Sequence, residues 1–419
     1  MKRRTFLRMT GASLVGSALW GAGAIRPVRA ADAGPIRIGL MAPLTGVAAA
    51  GGREMVDGWD LFWKQYGKTV AGRPIDVIVE DDAGTPDTAL QKARRLVQQR
   101  DVHMLVGNLL ANTGLAVAEF VRGTGTPYFM PIVAADNLTQ RDRIPNVLRV
   151  AGFSASQMPR PLADWCLKKG YRRVVTIAQD YAFGHEQAGG FAQTFTEGGG
   201  KVAGQLWNPL NTSDFSPFLG EIQNQKPDVV FAVQTGADAS RLILQWFNFG
   251  LKGQIPFVSS QNTTDQSVIR TMKDEALGMI SSAHFAEGRD DAANRKFVDA
   301  FLAAYNKLPA IFAAELYTCG MWVAEGIKRV DGKVEDRPAF LQAMREVEIA
   351  ASPLGRTRLD AYGNPILDIH IREVKQRPDG KLWNTVLETY PNVSQFWKYK
   401  PEEFLKQPAY SRQFQGIKS

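Results

Sequence analysis

From Pro35 onward the chain alternates short, almost wholly apolar, β-prone runs with helical stripes, and it does so twice. Strands that are apolar at successive positions have both faces buried, which places them in a parallel sheet covered by helices on either side. In the first set, 36–42, 75–80, 102–107 and 128–130 read as strands, and 147–150 leads out of the unit. Helical stripes lie between them at 54–66, from Pro86 with Ala89, Ala93, Leu96 and Val97 on one face, and at 112–122. The second set runs through 173–178, 183–197, 202–207, 215–225, 229–233, 237–249 and 256–258, strand and helix in turn. Two units of similar size predict an α/β chain of two Rossmann-like, doubly wound lobes. Three helical stretches then follow, at 291–306, 312–329 and 337–347, before strand-like runs return at 366–374 and 382–388. A helix-only block predicts a return to the first lobe, and the late strands a return to the second. The first lobe is thus expected from 31–152 and 285–362, the second from 153–284 and 363–419, with three hinge crossings between them.

Residues 1–30 stand outside this pattern. Arg3 and Arg4 precede a mildly apolar stretch, 9–25, and the segment ends Val28, Arg29, Ala30, with the small residues that signal peptidase prefers. Paired arginines before a weak apolar core read as a twin-arginine (Tat) export signal. The stretch holds four glycines and is short for a membrane span, and no Cys near Ala30 offers a lipid anchor. The segment carries Lys2, Arg3, Arg4, Arg8, Arg26 and Arg29 and no acid, so its removal lowers the net charge from +8 to +2. The basic balance therefore belongs to the signal and gives no ground for a nucleic-acid partner. The remaining 389 residues suit two domains. Cys166 and Cys319 each lie in an apolar helical pattern, which favours two separate buried thiols over a disulfide.

Catalytic constellations are missing. His103, His185, His284 and His370 are far apart, and the pair His185, Glu186 has Gly189 where a zinc helix needs its second histidine. No Gly-x-Ser-x-Gly elbow or P-loop occurs in the mature chain. The acids Glu80, Asp81 and Asp82 end an apolar strand, where capping or solvation suits them better than metal or acid–base work. No cofactor and no metal are expected.

The run IRIGLMAPLTG at 36–46 resembles the first strand of the type I periplasmic solute-binding proteins, those of leucine/isoleucine/valine and their amide- and aromatic-acid-binding relatives. The segments 80–86, 105–107, 138–140, 149–152, 180–184, 214–216 and 227–228 follow in that family's order, so the resemblance spans about 36 to 390. It implies two lobes that close on a ligand in the cleft. Loops after the strands, where helix N-termini offer free N–H groups, are the expected site: 108–114, 131–136, 180–184, 234–237 and 259–263.

By the same resemblance, Ala111, Asn112 and Thr113 stand where a ligand carboxylate is held, and Ile132, Val133 and Ala134 form a second such loop acting through its backbone. Phe183, with Tyr181 beside it, matches an aromatic that packs on the ligand, and Thr235, Gln261 and Asn262 fall in the remaining cleft loops. Gln261 replaces the acid that pairs with an α-ammonium, Ser154 replaces a hinge acid, and Gly51 with Gly52 replaces bulk and opens room. By the same resemblance, Gly84 and Leu110 occupy the positions of the disulfide of the branched-chain binder. The expectation is a monomeric periplasmic component of an ABC importer, not an enzyme, whose partners are a small-molecule ligand and an inner-membrane permease. The ligand is expected to be a carboxylate or amide without an α-ammonium, an aromatic acid among them. A branched-chain amino-acid binder, a periplasmic sensor and a secreted amidase are the alternatives.

Overall fold

The computed structural model describes residues 34–418, so the export-signal reading of 1–30 lies outside the described residues. The first lobe is built on a six-stranded sheet ordered β2-β3-β1-β4-β5-β6, from β1 (Ile36–Ala42), β2 (Thr69–Val70), β3 (Arg73–Asp81), β4 (Met104–Gly107), β5 (Tyr128–Phe129) and β6 (Val147–Leu148). All neighbours in it are parallel except the short β2 edge. Its crossover helices are α1 (Ala49–Tyr66), α2 (Pro86–Gln98) and α3 (Ala111–Thr124). Thr85 caps α2, accepting from the Thr88 N–H with Pro86 in the first turn. The helix α1 begins five residues before the expected start because Gly51 and Gly52, poor helix formers, sit in its first turns.

The second lobe repeats the plan. Following α4 (Pro159–Lys168), the units are β7 (Arg173–Gln179), α5 (Ala182–Glu197), β8 (Lys201–Asn208), α6 (Ser216–Gln225), β9 (Val229–Val233), α7 (Ala237–Asn248), β10 (Phe257–Ser260), α8 (Gln266–Ile269) and β11 (Ile280–Ala283). The parallel order β8-β7-β9-β10-β11 matches that of the first lobe, and in both the switch point lies beside the first strand of the lobe.

The chain then goes back. Helices α9 (Ala292–Tyr305), α10 (Ile311–Arg329) and α11 (Arg337–Glu346) join the core of the first lobe, where Trp59, Phe62 and Trp63 of α1 lie among Phe297, Phe301, Phe312 and Trp322. Burying each such side chain contributes about 1.5–3 kcal/mol. Two short strands, β12 (Glu348–Ile349) and β13 (Thr357–Leu359), lead into β14 (Pro365–Gln376), which extends the second sheet antiparallel to β11 and pairs with β15 (Leu382–Val393). The late strands thus rejoin the second lobe, but antiparallel rather than in the parallel sense of the rest.

The first crossing is fastened to the third. Arg149 donates to Asn364 Oδ1 at 2.6 Å, and Gln157 Nε2 donates to the carbonyls of Pro365 (3.0 Å) and Val393 (2.8 Å). The tail beyond β15 folds back through a short helix, α12 (Pro401–Phe404), into a small core of Phe396, Phe404 and Tyr410. Cys166 and Cys319 are free, buried and in different cores. Among the described residues no helix is long and apolar enough to cross a membrane.

Candidate ligand-binding cleft

The carboxyl ends of both sheets face each other, and the loops leaving them touch. The carbonyl of Val47 meets the Ala237 N–H at 3.5 Å, the Ile311 N–H donates to Asp265 Oδ2 at 2.8 Å, and Arg270 pairs with Glu54 at 2.7 Å. In each case one partner belongs to the first lobe and the other to the second, so the lobes are closed on each other. Between them lies an enclosed cavity of about 10 Å³ lined by Leu109, Ala111, Ile132, Ala134, Phe153, Tyr181, Phe183 and Asn262. A space that size holds roughly one water, so a ligand enters only when the lobes part.

Two helices start at this cavity. Ala111 is the first residue of α3 and Phe183 the second of α5, so both helix N-termini, with their unsatisfied N–H groups, are directed to it. The 131–135 loop adds another donor. Arg149, fully buried below it, draws the carbonyls of Val133 (2.9 Å) and Ala135 (2.6 Å) and also binds the Thr139 hydroxyl. In a trans peptide the N–H points opposite the carbonyl, so the Ala134 N–H faces away from Arg149, on the side where Ala134 lines the cavity.

The aromatic wall comes from both sides of the hinge. Phe153, on the first crossing, packs edge-on against Phe183 with ring centres 6.4 Å apart, and Tyr181 lies 6.1 Å from Phe183. Burial pushes the Tyr181 phenol well above its ordinary range, while a hydrogen bond to Thr235 opposes the shift.

The expected site residues divide accordingly. Ala111, Ile132, Ala134, Tyr181, Phe183 and Asn262 line the cavity. Asn112 sits half-buried in the first turn of α3, its Oδ1 near the Thr113 N–H (3.0 Å). The Thr113 hydroxyl is occupied, donating to the Leu110 carbonyl at 2.8 Å. Val133 turns away and packs against Gly114. Thr235 accepts from Asn262 Nδ2 at 3.1 Å behind the wall, and Gln261 is fully buried in the loop after β10. Gly51 opens no room, contrary to expectation: a Cβ there would stand 2.8 Å from Leu109 Cδ1 and 2.9 Å from Phe312, so those side chains fill the space. Leu109 and Phe153 line the cavity without having been singled out in the sequence, since apolar loop residues carry no chemical signature.

The acidic run 80–82 is structural. Glu80 pairs with Lys92 at 2.8 Å, Asp81 accepts the Leu44 and Ala83 N–H groups at 2.8 Å each, and Asp82 accepts Asn108 Nδ2 at 2.7 Å. His185 pairs with Asp180 at 2.7 Å. Among the described residues no group of three or more His, Cys, Asp or Glu is arranged to hold a metal.

Two matched α/β lobes, joined by three crossings and closed on a cavity at helix N-termini, define the hinged class of solute-binding proteins. The chain belongs to the periplasmic binding protein family, whose sequence profile matches residues 35–381. It is 27% identical over 366 residues to "Leu/Ile/Val-binding protein homolog 6" of Brucella abortus, covering 86% of this chain and 93% of that one. Its fold matches an ABC transporter substrate-binding protein from Sphaerobacter thermophilus at TM-score 0.81 and 34% identity, over 86% of this chain and 99% of that one. It likewise matches an R. palustris ABC transporter solute-binding protein in complex with benzoate, at TM-score 0.80 and 30% identity, over 85% and 98% of the two chains. The protein is therefore an ABC-type substrate-binding protein that takes a small molecule and works with a permease, and not an enzyme.

Proposed function

We propose that the protein reaches the periplasm by the Tat route and there, as a monomer, captures a small carboxylate or amide lacking an α-ammonium, an aromatic acid first among them. It then hands this ligand to an inner-membrane ABC permease. The observation that carries the ligand class is the cavity lining: apolar and aromatic side chains, one amide, and no charged group. A desolvated ammonium without an anion costs several kcal/mol. A carboxylate, in contrast, is met by the first N–H groups of α3 and by that of Ala134. Phe153, Tyr181 and Phe183 supply faces on which a ring stacks. The relative solved with benzoate supports the same reading.

A second reading, an α-amino acid ligand, is favoured by one observation: the buried acid Glu315 lies 3.2 Å from His284, whose ring centre is 5.4 Å from that of the cavity residue Phe153. Calorimetric titration of the mature protein with benzoate and with leucine separates the two. Tight benzoate binding without leucine binding supports an aromatic acid, and tight leucine binding overturns it. Co-purification with permease subunits tests transport against signalling.

A further inference from the structure

The loops that form the two walls of the cleft are each held by a fully buried arginine, and neither arginine lines the cavity. In the first lobe it is Arg149, just past β6, whose guanidinium draws the Val133 and Ala135 carbonyls. In the second it is Arg372 of β14. This side chain donates to the Gln261 carbonyl at 2.7 Å, and to Ser281 Oγ and the Phe285 carbonyl, both at 2.8 Å. Arg372 thus fastens the loop after β10 to β11 and to the residues that follow it.

The peptide that joins Gln261 to Asn262 is trans. With its carbonyl held by Arg372, its N–H is directed away from the guanidinium. Asn262 is buried and lines the cavity, yet among the described residues its N–H meets no acceptor. Folded proteins rarely leave a buried N–H unpaired. The Asn262 side chain does not take its place, because Nδ2 is spent on Thr235 at 3.1 Å. Ala134 repeats the combination in the first lobe: it lines the cavity, Arg149 holds the carbonyl before it, and its N–H meets no acceptor among the described residues.

Ala111, Ala134 and Asn262 surround a space of only about 10 Å³, so one small group there is within reach of donors from both lobes. A carboxylate offers two oxygens and about four acceptor sites, enough to serve both walls at once.

We propose that Arg372 is a positioning residue: by holding the Gln261 carbonyl it presents the Asn262 N–H to the ligand carboxylate, which is then gripped from the second lobe as well as the first. This rests on the carboxylate reading above and adds the contact through which binding draws the lobes together. A ligand shifts the open–closed balance only by what it gains in the closed form, and the Asn262 contact is made only there.

The test is calorimetric titration of the wild type and of Arg372→Lys with two pairs of probes, benzoate with benzamide and leucine with leucinamide. Within each pair the carboxylate gives way to a neutral amide. Lysine keeps the buried charge but lacks the rigid fork that spans the three acceptors. The variant should bind the acid about ten-fold or more weaker and lose much less for its amide, because hydrogen bonds to a charged acceptor are the stronger ones. Equal losses for acid and amide, or no loss for either, would overturn the role of Arg372. Binding of the leucine pair alone would overturn the aromatic-acid reading, and the same comparison within that pair then decides for or against Arg372. Binding of neither acid would overturn the carboxylate reading and this proposal with it. Should Arg372→Lys fail to fold, wild type with isotope-labelled asparagine decides by nuclear magnetic resonance. The Asn262 amide proton should move downfield as the acid is added, and a resonance that stays in place would overturn the proposal.

Discussion

Asp265 of the second lobe and Ile311 of the first are joined across the cleft: Asp265 Oδ2 accepts the backbone N–H of Ile311 at 2.8 Å. Ile311 opens α10, so the carboxylate serves as an acceptor at that helix N-terminus while its other oxygen caps α8 through the Ser267 N–H at 2.9 Å. An acid from one lobe thus completes a helix of the other, and it does so only when the lobes are closed.

Removing that contact should favour the open form. A hydrogen bond to a charged group contributes about 1.5–3 kcal/mol, so Asp265→Ala is expected to weaken ligand binding by about ten-fold or more. Small-angle scattering of the variant should show a larger radius of gyration at ligand concentrations that close the wild type. An unchanged affinity would mean that closure draws its free energy elsewhere, from Arg270 and Glu54 in the first instance.

The pH dependence has a defined sign at Glu287. Burial pushes this carboxyl from its ordinary 4.5 up to about 7. Between those values the folded chain holds a proton that the unfolded chain has released, so the contribution is full below pH 4.5 and is lost as pH rises to about 7. It amounts to about 3 kcal/mol. His284 and His370, pushed down to about 3 by burial, act oppositely, and their contributions are lost as pH falls below 6.5. Glu287→Gln separates the two effects. Its urea-unfolding free energy minus that of the wild type should rise by about 3 kcal/mol between pH 4.5 and 7.5, and a flat difference would contradict the assignment.

Helix α1 crosses α10 at a point where no side chain fits. A Cβ on Gly58 would collide with the carbonyl of Ala313, and Tyr317 of α10 packs edge-on to Phe62 one turn further along, ring centres 5.6 Å apart. Gly58→Ala is expected to lower stability by about 2 kcal/mol, measured by chemical denaturation. Gly123, with nothing within 4 Å, is the control position at which the same change should be tolerated.

The C-terminal tail hangs on Arg160. Its guanidinium lies 4.9 Å from the ring centre of Tyr399, 5.3 Å from that of Phe404 and 5.8 Å from that of Tyr410, and it donates to the Tyr410 hydroxyl at 2.6 Å. Arg160→Leu leaves those rings and hydroxyls without their cation and should cost about 3 kcal/mol. Limited trypsin digestion should then cut at Lys398 and Lys406, sites at which the wild type is expected to resist. Resistance in the variant would show that the aromatic cluster alone holds the tail.

Much of this architecture is written in the strands. Buried parallel strands such as 229–233 must be apolar throughout, so their places along the chain could be read directly. What escaped were features set by distant partners. Arg149 stood inside a recognised segment, but its task, turning carbonyls at 133 and 135 so that an N–H faces the cavity, depends on a loop that only folding places above it. Glu315 lies in a helix of the first lobe and His284 just past β11 of the second, and nothing in either neighbourhood announces the other. Thr113 shows the converse: a residue of suitable chemistry at a suitable loop whose hydroxyl is consumed by its own helix.

The return of α9–α11 to the first lobe also bears on synthesis. When the ribosome has made β6, the first sheet is complete, yet Trp59, Phe62 and Trp63 still lack the surface of α10 that covers them. The whole second α/β unit emerges before that helix does, and the second sheet in turn waits for β14 and β15 near the end of the chain. Neither half can therefore mature on its own during translation. The nascent chain must carry an uncovered aromatic face through most of its elongation, a period in which a holding chaperone would find its binding surface ready made.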